Sequence, residues 1–248
     1  MLVKEKKYKD DDLCFDSRHE LENSNNFIIL DDKTSKIDDN VREVLKLIET
    51  YGYNVDVVDI NSMAKIIINN VENSNIQFDA ILTVGTGGLQ VYRQISESDI
   101  FKNKIIYNIK WNRAWEKDKS IGFETDIENY DIKDKKIIIL EDVIASGNTL
   151  WTLKDLLELY NNKIEMIYSI LIQESSPLLN KSFSNTFSSM MICKPSNEKL
   201  DVFWYPPIYS LRHLLFGDDE MPSFYDTLGE KYFNNENKVE KLIKRIRR

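Results

Sequence analysis

Apolar positions along this chain come in short runs whose period switches between that of a strand and that of a helix. Ile137, Ile138, Ile139 and Leu140 are four apolar residues in succession, the pattern of a strand buried on both faces of a parallel sheet. Past a polar turn, Leu150, Leu153, Leu156, Leu157 and Tyr160 recur at helical spacing. The same switch occurs upstream, where the run Ala80–Val84 meets Gly85, Thr86, Gly87 and Gly88 and then a helical face of Val91, Tyr92 and Ile95. Strands are predicted at Ala80–Val84, Lys104–Lys110, Lys136–Leu140 and Ile164–Ile172, with helices between most of them. That alternation predicts an α/β fold built on a doubly wound parallel sheet.

The core starts at Asp79. Ahead of it, Phe27–Leu30 and Val55, Val57 and Val58 read as short strands. Val41, Val44, Leu45 and Ile48 read as an amphipathic helix ending near Gly52, and Met63–Val71 as another helix. Residues 1–26 are polar and charged, a solvated lead-in. Residues 27–78 form an N-terminal α/β extension, residues 79–193 the core, and residues 194–248 a C-terminal segment. Between Trp111 and Asp131 no clear period survives, and a long polar stretch inside a compact domain reads as a functional lid. Residues 201–207 read as an aromatic strand stopped by Pro206 and Pro207, which cannot continue a ladder. Ile208–Gly217 follows as a helix or turn. Val239, Leu242, Ile243 and Ile246 mark one face of a terminal helix whose other face is basic.

Composition narrows the function. A chain of 248 residues, 42% hydrophobic and 11% aromatic, holds one sizeable α/β domain with additions. A net charge of −8 argues against general nucleic-acid binding. Two cysteines, Cys14 and Cys193, make neither a metal pair nor a disulfide framework. His19 and His213 are too few for a histidine-rich metal site. With no long apolar stretch or signal-like start, a cytoplasmic protein without a membrane segment is expected.

The chemistry concentrates in the turn after Leu140. It lies at the carboxyl end of a central strand and against a helix N-terminus, where ligands of open α/β sheets bind. Backbone N–H groups of Ala145, Ser146, Gly147, Asn148 and Thr149, with the two hydroxyls, make a nest for a phosphate. Glu141 and Asp142 stand beside that nest and would repel a phosphate, so they serve another part of the ligand, such as sugar hydroxyls or a magnesium ion. A phosphorylated sugar meets both demands.

From Ile137 to Thr149 the chain resembles the phosphoribosyl-pyrophosphate signature of type I phosphoribosyltransferases: four apolar residues, two acids, two apolar, a small residue, Ser or Thr, Gly, any residue, Thr. The resemblance covers roughly Asp79 to Ile172. It implies that Glu141 and Asp142 hold the ribose hydroxyls, that Ala145 to Thr149 wrap the 5′-phosphate, and that Thr86, Gly87 and Gly88 receive pyrophosphate. It implies magnesium as cofactor, bound through the ribose donor near Glu141 and Asp142. It also implies a mobile loop between the second and third core strands, with Lys110, Arg113, Lys117 and Lys119 as candidates to touch pyrophosphate. A C-terminal hood would cover the acceptor, with Trp204 or Tyr205 stacked on it. The expected activity is magnesium-dependent transfer of ribose 5-phosphate from phosphoribosyl pyrophosphate to a nucleobase, a purine in preference, in nucleotide salvage. The alternative is a non-catalytic sensor of phosphoribosyl pyrophosphate or a nucleotide on the same fold. A homodimer is an open expectation. Hypoxanthine–guanine enzymes usually carry an acid three positions after the second motif acid; Ala145 stands there, as in adenine- and orotate-type relatives.

Overall fold

A computed structural model of the protein describes residues 1–4, 16–17, 20–22, 26–31, 42–43, 45–46, 49, 54–116, 119–144, 147–173, 185–193 and 208–210. Strands β1 (Leu2–Val3), β2 (Asp16–Ser17), β3 (Glu20–Glu22), β4 (Asn26–Asp31) and β5 (Asn54–Asp59) precede helix α1 (Ile60–Asn73). Then come β6 (Ala80–Val84), α2 (Gly85–Ile95), the short α3 (Asp99–Lys102) and β7 (Ile105–Ile109). Strands β8 (Trp111–Glu116), β9 (Lys119–Thr125) and β10 (Lys136–Ile144) follow, then α4 (Asn148–Leu159), β11 (Lys163–Gln173), β12 (Thr186–Cys193) and β13 (Ile208–Ser210). The chain divides into two compact units, residues 1–22 with 61–198, and residues 23–60 with 199–248.

In the first unit the main sheet runs β2-β12-β11-β10-β6-β7, with β3 also on β12. Every described pairing in it is parallel. Residues Ile137–Leu140 are fully buried, because a parallel sheet is covered on both faces and selects continuous β-branched runs. Each such side chain stabilises the fold by about 1.5–3 kcal/mol relative to exposure. Helix α4 packs Leu150, Leu153, Leu156 and Leu157 on the face that carries Ile137, Ile139 and Ile167. Helix α1 lies on the other face. Its Met63 carbonyl accepts from Ser189 Oγ at 2.8 Å, and its Asn70 Oδ1 accepts from the Tyr168 hydroxyl at 3.3 Å. The sheet is therefore doubly wound, as the strand–helix alternation predicts. The five long strands lie in the order β7-β6-β10-β11-β12, so chain direction across the sheet reverses between β6 and β10. Ligands of such sheets bind outside the carboxyl ends of the strands at that reversal.

The second unit contains a parallel three-stranded sheet, β13-β4-β5, with Ile29 and Leu30 buried. The predicted strands near Phe27–Leu30 and Val55–Val58 are present as β4 and β5, and Arg42, Glu43, Leu45, Lys46 and Glu49 are helical as the period required. Among the described residues no helix is long and apolar enough to cross a membrane.

Four local expectations are corrected. Trp111–Asp131 is not aperiodic: β8 and β9 pair as an antiparallel hairpin, anchored by Trp111 and Phe123 with ring centroids 5.1 Å apart. The polar lead-in is not wholly solvated, since Leu2–Val3 adds to that hairpin as a third strand along β9 and β2 and β3 pair with β12. Ile208–Ser210 is a strand, because β4 offers it a parallel partner over Ile28–Leu30. The helix after β6 starts at Gly85, not beyond the glycines. Strand β12 was not predicted. Trp204, Tyr205 and the terminal helix lie outside the described residues.

Candidate functional site

Strand β10 runs on past its apolar stretch through Glu141 and Asp142, both half-buried. Its parallel neighbour β6 ends in Val84, and the chain turns at once into α2. Three predicted groups thereby lie beyond the carboxyl ends of β6 and β10, at the reversal of strand order: Thr86–Gly88 in the first turn of α2, the acid pair on β10, and Gly147–Thr149 where α4 begins.

The approach of α2 to β10 is close. A Cβ on Gly87 would overlap Asp142 Oδ1 and lie 2.5 Å from its Cγ. A Cβ on Gly88 would overlap the Leu140 carbonyl oxygen and lie 3.2 Å from the Thr83 Cα. The glycines let a helix end press against a strand end, and they put the Asp142 carboxylate beside the first turn of α2. Gly147 serves differently. It enters α4 with φ +74°, a left-handed conformation that costs other residues energy. Among the described residues no side chain caps α2 at Val84 or α4 at Gly147. The first turn of α2 thus presents backbone N–H groups and a positive dipole end beside Asp142, and α4, which begins at Asn148 soon after the acid pair in sequence, presents another.

The pair itself is electrostatically strained. Asp142 Oδ1 accepts from the Val143 N–H at 2.7 Å, and Glu141 Oε1 from the Asp142 N–H at 3.4 Å. Burial pushes the Glu141 carboxyl well above its ordinary value of 4.5, and the neighbouring Asp142 charge pushes it further. Burial also raises Asp142, while hydrogen bonds from Glu141 and from the Val143 amide oppose the rise. Each carboxylate is thus disfavoured where it stands, Glu141 the more so because Asp142 lies beside it. A carboxyl raised in the folded state contributes stability below its unfolded value and loses it as pH climbs through the folded one. Glu141→Gln is therefore expected to raise stability at neutral pH by about 0.5–2 kcal/mol, by an increment that grows with pH. Thermal denaturation across a pH series reads this, and a variant no more stable than wild type would show that the pair is not strained.

The remaining candidates are placed less completely. Ala145, Ser146 and Lys117 lie outside the described residues, as do Trp204 and Tyr205. Lys110 is exposed at the foot of the hairpin, its N–H donating to Asp126 Oδ1 at 2.7 Å. Arg113 stands in β8 opposite Phe123, and Lys119 in β9 opposite Glu116. Among the described residues no group of three or more His, Cys, Asp or Glu comes together to cage a metal.

Two features of the surroundings went unread in the sequence. Ser169 stands opposite Glu141 on β11, fully buried with its hydroxyl unpaired; only the register reveals it. Thr83 on β6 donates to Asn108 Oδ1 on β7 at 2.8 Å, cross-linking the strands beneath the glycine turn. Polar Thr83 inside an apolar run was the available signal.

Among solved structures the chain is similar to a hypothetical protein from Neisseria gonorrhoeae with bound ppGpp, at 15% identity and a TM-score of 0.47, over 65% of this chain and 89% of that one. It is similar to purine phosphoribosyltransferase from Pyrococcus horikoshii at 18% identity and a TM-score of 0.42, over 56% and 93%. It is similar to adenine phosphoribosyltransferase from Thermoanaerobacter pseudethanolicus at 12% identity and a TM-score of 0.40, over 53% and 79%. No curated protein matches the sequence. The phosphoribosyl transferase domain family matches residues 56–201, a span that takes in both turns and the acid pair. By that match over more than half of its length, the chain belongs to the phosphoribosyl transferase domain family.

Proposed function

We propose that the protein is a phosphoribosyltransferase, moving ribose 5-phosphate from phosphoribosyl pyrophosphate to a nucleobase, preferably a purine, with release of pyrophosphate. The observation that carries this reading is the acid pair of β10, with the first turn of α2 pressed on Asp142 and α4 beginning soon after it, at the reversal of strand order. Each part of the donor has a matching group. The N–H groups at Gly147, Asn148 and Thr149, continued by Ala145 and Ser146, take the 5′-phosphate. Glu141 and Asp142 take the ribose hydroxyls as acceptors. Thr86, Gly87 and Gly88, in the first turn of α2, take the pyrophosphate.

In the reaction a ring nitrogen of the base forms a bond to the anomeric carbon as the bond to pyrophosphate oxygen breaks, and the base gives up a proton. Positive charge develops on the ribose ring while the leaving group becomes more negative. Asp142 and Glu141 orient the pentose and offset the first charge, and the α2 amides offset the second. Lys110, Arg113, Lys117 and Lys119 are the residues of the hairpin region proposed to meet the leaving group. Trp204 or Tyr205 is proposed to stack on the base, worth about 1–3 kcal/mol.

Two adjacent carboxylates suit magnesium, which binds through one or two carboxylates together with phosphate and water oxygens. Glu141 and Asp142 would hold it together with donor oxygens. When bound, it supplies charge neutralisation to the pyrophosphate.

The test is incubation with phosphoribosyl pyrophosphate, magnesium and a panel of purines, pyrimidines and related heterocycles, measuring pyrophosphate. Base-dependent release is expected for a purine. Donor binding without release for every acceptor would instead make the chain a sensor.

A further inference from the structure

The hairpin of β8 and β9 connects β7 to β10 and so spans from one edge of the sheet to its central strand. Residues from the far end of the chain hold it. Leu2 pairs with Glu124 and Val3 with Phe123, antiparallel, and the Thr125 N–H donates to the Met1 carbonyl at 2.9 Å. The sequence of β9 is shaped for this partner. Gly122 has φ +141°, and a Cβ there would overlap the Val3 carbonyl oxygen and lie 3.0 Å from its carbon. A glycine inside a strand weakens it, and it marks a place where another backbone comes close. Without β1 the hairpin would carry that cost for nothing.

Val3 also reaches inward. It packs on the cluster containing Trp111 and Phe123 from the hairpin, Ile144 at the end of β10 and Leu150 at the start of α4. Ile144 and Leu150 flank residues 145–149 on both sides. The N-terminal strand thus joins, through one apolar side chain, the same hydrophobic cluster to which the hairpin and the flanks of residues 145–149 belong. Yet little area is buried in the attachment. Among the described residues it comprises the two strand pairs and the bonds of Met1, whose amino group also donates to the Thr125 carbonyl and to Glu128 Oε1 at 3.3 Å. Met1 and Leu2 remain 44% and 52% exposed. A contact with so little buried area opens at low free energy compared with the core.

We infer that residues 1–3 form a releasable strap that sets how firmly the hairpin is held at the donor site, so that unstrapping shortens the residence of phosphoribosyl pyrophosphate. The inference rests on the reading of the hairpin as the cover over that donor. Strapped, the hairpin is a three-stranded ribbon whose Val3, Trp111 and Phe123 pack in the main hydrophobic cluster. Unstrapped, it is a two-stranded ribbon with a mid-strand glycine and a bare edge, and isolated two-stranded hairpins are marginal.

Two variants remove the strap by different routes. Gly122→Ala blocks the approach of Val3 but also strains β9 at a φ of +141°, so Val3→Asp, which leaves the hairpin sequence intact while removing the apolar anchor, is the variant that isolates the strap. Hydrogen exchange on the ligand-free chain is expected to speed up about tenfold at Phe123, Glu124 and Thr125 in both, with Ile137–Leu140 unchanged. Dissociation of phosphoribosyl pyrophosphate with magnesium, followed by stopped flow, is expected to accelerate by a similar factor, about tenfold. Unchanged exchange in both variants overturns the strap, and faster exchange with unchanged dissociation overturns its link to the donor. A wild-type chain that binds no donor sinks the functional reading and the strap's role with it, whereas the exchange result alone sinks only the strap.

Discussion

Asp142→Asn is expected to lower kcat/KM for phosphoribosyl pyrophosphate by about 10²–10³ while leaving the fold as stable as before, or slightly more so. The two shapes are nearly identical, so Asn keeps the acceptor oxygen that takes the Val143 N–H at 2.7 Å and fits the same space against Gly87. What is lost is charge. Burial already disfavours the carboxylate at this position, and its neutralisation relieves Glu141, whose carboxyl is pushed up partly by Asp142. Stability and activity should therefore move apart, which separates a site role from a structural one. Steady-state kinetics with a thermal melt reads both. If turnover and donor affinity are both unchanged, Asp142 does not orient the ribose.

The second large effect distinguishes two adjacent glycines. Gly88→Ala is expected to destabilise the protein by about 3 kcal/mol, since its Cβ would meet main chain on both sides, the Leu140 carbonyl and the Thr83 Cα. Neither β6 nor β10 can retreat, as each is paired on both edges of its length. The three atoms nearest a Cβ on Gly87 all belong to the Asp142 carboxylate, a side chain rather than main chain, and alanine is the better helix former, so stability should change by no more than about 1 kcal/mol. The carboxylate must swing aside, however, and donor affinity is expected to fall about tenfold or more, the scale of a lost charge-assisted contact. Chemical denaturation and calorimetric titration of both variants give the pattern. Equal stability losses would mean that α2 does not press on β10 as described.

The central sheet was legible because burial on both faces imposes continuous apolar runs. Ala80–Val84, the stretch from Ile137 and the stretch from Ile164 could hardly be anything else at their length. The acid pair and the Gly147 turn were legible for a related reason: their neighbours in sequence are their neighbours in space. What escaped depends on distant partners. The Trp111–Thr125 hairpin shows no clean alternation because one strand accepts Val3 across a glycine. Ile208–Ser210 is a strand because β4 is there to receive it. Gly85–Gly88 looked like loop because glycine is a poor helix former. In the fold, the need for close packing on Leu140 and Asp142 outweighs that propensity. Ser169 could not be linked to Glu141 until the register was known, and that register shifts between Ile137 and Ile138.

On the proposed reading, an activated ribose phosphate is held by the carboxylate pair of β10 and the first turns of α2 and α4. Calorimetric titration of phosphoribosyl pyrophosphate with magnesium into the full chain tests this most directly. Saturable binding at one site per chain, lost in Asp142→Asn and weakened in Gly87→Ala, is the predicted result. Absence of any binding by the wild-type chain under conditions where it is folded would contradict it.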